Sequence, residues 1–214
     1  MAPPTPKQLL RLEMRARLAS IDAAAVLRAS HHACARLLGL PAFAAAERVM
    51  LYMPLGHELS PAPLAFEGQR LAKTLWLPRT DWESRAMSAA KAPPWNADGV
   101  NEGLVAGRHE LREPPPAAEI AEPATLDMIL IPGLAFDARG GRLGRGAGFY
   151  DRFLADLRRA SGKAVFVALA LDEQILEGVP MDRHDVYVDL VVTPTRTLGP
   201  RAETTGITEI TEIP

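Results

Sequence analysis

Between Pro6 and Leu18 the apolar positions Leu9, Leu10, Met14 and Leu18 recur at helical spacing, which predicts a helix with one apolar face. Pro6 suits the first turn, where a missing N–H costs nothing. Ser20 and Asp22 offer caps for a second helix that carries Val26, Leu27, Ala33, Leu37 and Leu38 and ends at Gly39 and Pro41. The pattern then changes to short unbroken apolar runs. Arg48 to Met53 (RVMLYM), closed by Pro54 and Gly56, is predicted to be a buried strand. Leu59 to Leu71 is predicted to be a helix, with Ser60 as cap and Pro61 at its first position. Thr74 to Leu77 is predicted to be a strand stopped by Pro78, and Ala86 to Ala90 a weaker one. From Ala92 to Pro123 the chain is rich in Pro, Gly, Asn and Glu, which predicts a long surface loop. Leu126 to Ile131 is a strong buried strand ended by Pro132–Gly133. Phe149 to Arg159 is an amphipathic helix with Tyr150, Phe153, Leu154 and Leu157 on one face, and Ala164 to Leu171 and Val186 to Val192 are two more strands. Little pattern follows Thr193.

Apolar strands separated by helical segments imply an α/β fold: a mainly parallel sheet with helices on both faces. The expected organisation is one domain over 1–214, with N-terminal helices at 6–39, an α/β body at 48–194 and a short tail. In open sheets of this kind ligands sit at the carboxyl ends of the strands. Apolar residues at 48% and charged residues at 23% fit a globular protein rather than a disordered one. A net charge of −2 argues against a nucleic-acid partner. No apolar run approaches the roughly 20 residues of a membrane helix, and Met1 to Pro6 lacks a charged start followed by an apolar run, so no membrane partner and a cytoplasmic location are expected. The single cysteine, Cys34, lies in an apolar helical stretch and is expected to be a buried structural residue.

The chemistry concentrates in Asp127 to Leu154, DMILIPGLAFDARGGRLGRGAGFYDRFL, which is predicted to run strand, turn, glycine-rich loop, helix. Gly140, Gly141, Gly144, Gly146 and Gly148 fall close together, at a cost in chain entropy that calls for a reason. Glycine lets backbone N–H groups approach a ligand, the helix start adds unpaired donors and a positive dipole end, and Arg142 and Arg145 are expected to add mobile positive charge. Together they suggest a polyphosphate cradle; the competing reading is a flexible surface loop. It is not a Walker loop, since no Gly-Lys-Ser/Thr follows, and Phe149 stands where the third glycine of a dinucleotide fingerprint belongs.

The run PGLAFDARGGRLGRGAGFYDRFL resembles the signature of the 5-formyltetrahydrofolate cyclo-ligases, also called methenyltetrahydrofolate synthetases. Other pieces follow in family order: Lys7 and Arg11 in KQLLR, YMPLGHE ending at Glu58, Leu77–Pro78–Arg79, Glu113–Pro114, Gln174, Val179–Pro180, His184–Asp185, Val188–Asp189 and VVTP. The resemblance covers about residues 7 to 194 and is loose between Ala86 and Arg112. It implies the NagB/RpiA/CoA-transferase-like fold, ATP and Mg2+ as cofactors, a reduced folate as substrate, and a monomer or weak dimer. It also implies a reaction in which ATP phosphorylates the formyl oxygen of 5-formyltetrahydrofolate and N10 closes the ring.

By this resemblance Lys7, Arg11, Arg142, Gly144, Arg145, Gly146, Gly148 and Tyr150 would contact the nucleotide. Met53, Glu58, Arg145 and Tyr150 would contact folate, with Glu58 accepting N–H bonds from the pterin. Arg145 and Tyr150 would be catalytic, Arg145 as the charge that stabilises the transferring phosphoryl group, and Asp151 and Asp185 would hold the metal. Each has a plainer alternative. Lys7 and Arg11 lie one turn apart and could be a solvated helix face. Met53 and Tyr150 could be core, Glu58 an exposed turn residue and Asp151 a helix-start charge. Trp76, Trp82 and Trp95 are expected to serve packing, and His184 is given no catalytic part. Three features depart from the family pattern: Leu59–Ser60–Pro61 after the glutamate, Ala147 in place of Gly or Lys, and Phe149 in place of a frequent Tyr. Two other functions stay open: an ATP-dependent ligase or kinase acting on another small acid, and a non-catalytic nucleotide- or folate-binding protein.

Overall fold

The computed structural model describes residues 3–96, 102–108, 111–160 and 163–200. Helix α1 (Pro6–Ala19) is opened by a capping box: the Thr5 side chain accepts the Gln8 N–H, and the Gln8 side chain accepts the Thr5 N–H. Helix α2 (Ala23–Leu38) is capped by Asp22 and ends at Gly39; α3 (Pro41–Ala45) follows at once. Strand β1 (Arg48–Met50), helix α4 (Ala62–Arg70), and strands β2 (Thr74–Asp81) and β3 (Ala86–Lys91) come next. A small hairpin, β4 (Val105–Ala106) with β5 (Arg112–Glu113), lies in the long irregular stretch. The chain continues through β6 (Met128–Ile131), β7 (Ala135–Asp137), β8 (Arg142–Leu143), α5 (Phe149–Ala160), β9 (Val165–Leu169), β10 (Ile175–Leu176), β11 (Leu190–Val192) and β12 (Thr197–Leu198).

The main sheet has the order β12-β11-β9-β6-β1-β2-β3, parallel from β11 to β2 with an antiparallel strand at each edge. Alternate residues feed two cores. Val49, Met128, Leu130, Val167, Leu169, Leu190 and Val192 face α1 to α4, meeting Met14, Leu18, Ala33, Leu37, Phe43 and Leu64. Met50, Ile129, Ile131, Phe166, Ala168 and Val191 face the other way onto Phe153, Leu154 and Leu157 of α5. Both faces are buried, which is why these strands appear in the sequence as unbroken apolar runs.

Several boundaries differ from expectation. Strand β2 runs through Pro78 to Asp81, paired with β3 as far as Asp81↔Ala86. The Trp76 carbonyl faces β1, where it accepts the Leu51 N–H, so Pro78 two residues on presents its missing donor to the same side, past the end of β1. Helix α4 is shorter than expected, with Pro61 flanking it and Ser60 Oγ accepting the Ala62 N–H at 3.3 Å. Residues 186–189 lie outside the sheet strand, because the Val188 N–H goes to the Gly140 carbonyl instead. The long stretch after Ala92 is mostly irregular, but Trp95 is buried and its backbone is clamped by the Gln69 amide; residues 97–101 and 109–110 lie outside the described residues.

The first part of the glycine-rich stretch is not loop at all. Strands β7 and β8 form a hairpin joined in parallel to β10. Asp137, fully buried, holds it by accepting the N–H groups of Arg139, Gly141 and Val179. Gly140 turns the hairpin at φ +84, and a Cβ there would stand 2.1 Å from the Val188 carbonyl oxygen. Gly140 and Gly141 therefore build the hairpin and lie outside the phosphate cradle that the sequence suggested.

Candidate active site

The cleft opens where parallel sheets bind ligands, at the carboxyl ends of β1, β2 and β6. Its volume is about 980 Å³. One wall is the chain after β1, with Tyr52, Met53, Leu55 and Glu58; a second is the end of β2 with Thr80 and Trp82; a third is the loop 144–148 leading into α5. Helix α1 covers one side, and the turn carrying Asp182 and Asp185 lies beside it. The site residues that the resemblance implied all reach this cleft: Lys7, Arg11, Met53, Glu58, Arg142, Gly144, Arg145, Gly146, Gly148, Tyr150, Asp151 and Asp185.

Helix α1 presents Lys7, Arg11 and Arg15 at four-residue spacing, so all three point the same way. The Arg11 Nε donates to the Gly144 carbonyl at 2.9 Å, and Arg15 Nη2 to that of Arg145 at 3.3 Å. The Lys7 ammonium pairs with Asp182 at 2.8 Å and also with Asp185. Burial works against the Lys7 charge, yet hydrogen bonds to Asp182 and Asp185 outweigh it and hold the ammonium above its ordinary value. Those carboxylates also offset the cost of a cation in the first turn of a helix.

The loop 144–148 is what remains of the expected cradle. Gly146, at φ +109, takes a backbone conformation that favours glycine, and its Cβ position faces the Arg11 guanidinium at 3.6 Å. Arg145 crosses the cleft. Its Nε donates to Glu58 Oε1 at 2.7 Å and its Nη2 to the Leu55 carbonyl at 2.7 Å. Glu58 Oε2 accepts the Leu55 N–H at 2.9 Å. Burial pushes the Glu58 carboxyl above the usual carboxylate range, against the pull of Arg145 and the Leu55 N–H.

Arg142 is not the mobile cation that the sequence suggested. Its side chain is 3% exposed, donates to Asp151 at 2.6 Å and to the Pro132 carbonyl at 3.3 Å, and its guanidinium lies 5.9 Å from the Tyr150 ring centroid. The hairpin buries it, since β8 begins at that residue. The Tyr150 hydroxyl is buried and lacks a partner among the described residues. Burial, then the Glu58 charge, push its proton affinity up, so at neutral pH it is a donor waiting for an acceptor. Phe149, which departs from the family's frequent Tyr, packs edge-on against Trp82 at 4.9 Å.

Asp151 sits in the first turn of α5, accepting from Arg142 and, at 3.4 Å, from the Val186 N–H. Together with Asp185 it supplies two carboxylates to one cleft. No group of three or more His, Cys, Asp or Glu among the described residues could hold a metal alone. Two carboxylates suit Mg2+ shared with phosphate oxygens and water, and the donor set fits that ion. Arg15 and Asp182 escaped the sequence reading. The spacing that pairs Lys7 with Arg11 also reaches Arg15; nothing local marks Asp182.

The comparisons agree with one another. The family model for the 5-formyltetrahydrofolate cyclo-ligase family matches residues 4–194. The 5-formyltetrahydrofolate cyclo-ligase of Mycolicibacterium smegmatis is 47% identical over 94 residues, which is 44% of this chain and 47% of its own length. That of Escherichia coli is 31% identical over 165 residues, covering 77% of this chain and 87% of its own. The NMR structure of Aquifex aeolicus 5,10-methenyltetrahydrofolate synthetase matches with a TM-score of 0.76 at 29% identity, over 92% of this chain and 94% of that one. With a match along nearly the whole described fold, this chain belongs to the 5-formyltetrahydrofolate cyclo-ligase family.

Proposed function

We propose that the chain converts 5-formyltetrahydrofolate to 5,10-methenyltetrahydrofolate while ATP gives up its γ-phosphoryl group to the formyl oxygen, with release of ADP and phosphate. The observation that carries this is the Arg145–Glu58 contact at 2.7 Å, which brings a cation of the glycine loop and a carboxylate 87 residues away into one cleft. A nucleotide phosphate on the loop and a pterin on Glu58 would then lie side by side.

In this reading Lys7, Arg11 and the backbone of Gly144, Gly146 and Gly148 grip the triphosphate. Met53 and Glu58 receive the pterin, and Tyr150 donates its unpaired hydroxyl to a ligand oxygen. Asp151 and Asp185 hold Mg2+, which supplies positive charge to the phosphate oxygens when bound. Arg142 acts by holding Asp151 in place. The formyl oxygen attacks the γ-phosphorus as the bond to ADP breaks, and Arg145 stabilises the charge on the transferring group. N10 then attacks the activated carbon and loses its proton, and phosphate departs with the former formyl oxygen. An amide-like oxygen leaves poorly, and phosphorylation removes that barrier, so the protein's task is positioning and charge. The proposed setting is the cytoplasm, acting as a monomer or weak dimer. No described helix is long and apolar enough to cross a membrane.

The test is isotopic. With 18O in the formyl group, one labelled oxygen should appear in phosphate for each methenyltetrahydrofolate formed. Unlabelled phosphate would rule out transfer to the formyl oxygen.

A further inference from the structure

In the structure the proposed phosphoryl stabiliser is already occupied. Arg145 donates through Nε to Glu58 and through Nη2 to Leu55, and the Leu55 N–H in turn fixes the second oxygen of Glu58. The partners differ in freedom: the Glu58 side chain is 5% exposed and that of Arg145 is 38% exposed. The carboxylate is the fixed member, and the guanidinium is the one able to swing.

Taking Arg145 away would leave a buried carboxylate without its counter-charge, which is strongly unfavourable unless other donors replace it. A nucleotide triphosphate brings acceptors and negative charge, and so cannot replace it. The N–H-bearing edge of a pterin can. Resting on the reaction proposed above, we infer that Glu58, besides receiving the pterin, holds Arg145 away from the nucleotide until folate arrives. Glu58 thereby decides whether water or the formyl oxygen takes the phosphoryl group.

Without folate the competing reaction is hydrolysis: a water oxygen bonds to the γ-phosphorus, the bond to ADP breaks, and a proton goes to solvent. While Arg145 is held by Glu58, that reaction lacks its stabilising charge. Folate binding releases the guanidinium, so nucleotide and folate favour each other's binding by one and the same factor.

Two measurements on the full chain test this. The first is the affinity of a non-hydrolysable ATP analogue by calorimetry, with and without 5-formyltetrahydrofolate. The second is phosphate release from ATP without folate, for the wild type, Glu58→Ala and Glu58→Gln. For the wild type the analogue should bind about tenfold more tightly with folate present, within the usual range of such coupling. Folate-free phosphate release should rise by about tenfold in Glu58→Ala and less in Glu58→Gln, which keeps an acceptor but loses the charge. Should Glu58→Ala fail to fold, Glu58→Gln and the wild-type coupling decide the matter. Wild-type affinity indifferent to folate, or folate-free release no higher in either variant, overturns the inference. A wild type that makes methenyltetrahydrofolate but shows no coupling removes this inference alone; one that makes none removes the proposed reaction.

Discussion

The Glu58 carboxyl lies against the Arg145 guanidinium, and two opposing influences set its proton affinity. Burial raises the Glu58 carboxyl, and Arg145 pulls it back. A carboxyl raised in the folded state contributes its stability below its unfolded value, and the contribution is lost as pH rises through the folded value. Arg145→Ala removes the largest opposing pull, so Glu58 should rise further. Its loss of melting temperature relative to wild type should be greater near about pH 8 than near about pH 5. The same variant should turn over roughly a hundredfold more slowly, the usual scale for losing one preorganised charge. A rate equal to wild type would show that another group stabilises the phosphoryl transfer. Cys34 gives a simpler case: burial pushes its thiol up to about 12, and its Sγ lies 3.4 Å from the Ser60 carbonyl. A thiol reagent at neutral pH should label it only after denaturation; rapid labelling of the native protein would contradict its burial.

At the scale of elements, the sequence was readable where packing makes the pattern long. Met128–Ile131 and Val165–Leu169 are buried on both faces and stood out as apolar runs, and α5 declared itself through Phe153, Leu154 and Leu157. The hairpin of β7 and β8 did not, because strands of two or three residues carry no period and their glycines looked like loop. Its stabiliser is a single buried carboxylate, Asp137, whose three backbone donors come from residues up to 42 positions away. Gly140→Ala tests this element. The added Cβ meets the Val188 carbonyl, and the backbone must hold φ +84, so the variant should lose about 3 kcal/mol or more by denaturant melting. A loss within a few tenths of wild type would mean that the hairpin turn is not rigid. Pro78 teaches the same lesson in reverse: a residue that ought to stop a strand is tolerated once its missing donor faces past the end of β1.

Across the whole molecule, the cleft gathers residues that local pattern could never have joined. Lys7 meets Asp185 across 178 positions, Arg11 meets Gly144 across 133, and Arg145 meets Glu58 across 87. The resemblance to the family named most of these residues, but it did not say which would pair. The pairing carries the physical content: each cation expected to face phosphate is already held by an oxygen of the protein, and Arg145 must leave Glu58 before it can serve the phosphoryl group. Five cationic and four acidic side chains line the cleft among the described residues, a balance that favours an anion while keeping each charge supported. The most direct measurement is near-ultraviolet absorbance of the purified chain with 5-formyltetrahydrofolate, ATP and Mg2+. The account predicts a rise from methenyltetrahydrofolate that disappears when either ATP or the metal is withheld. No rise with all three present would contradict it.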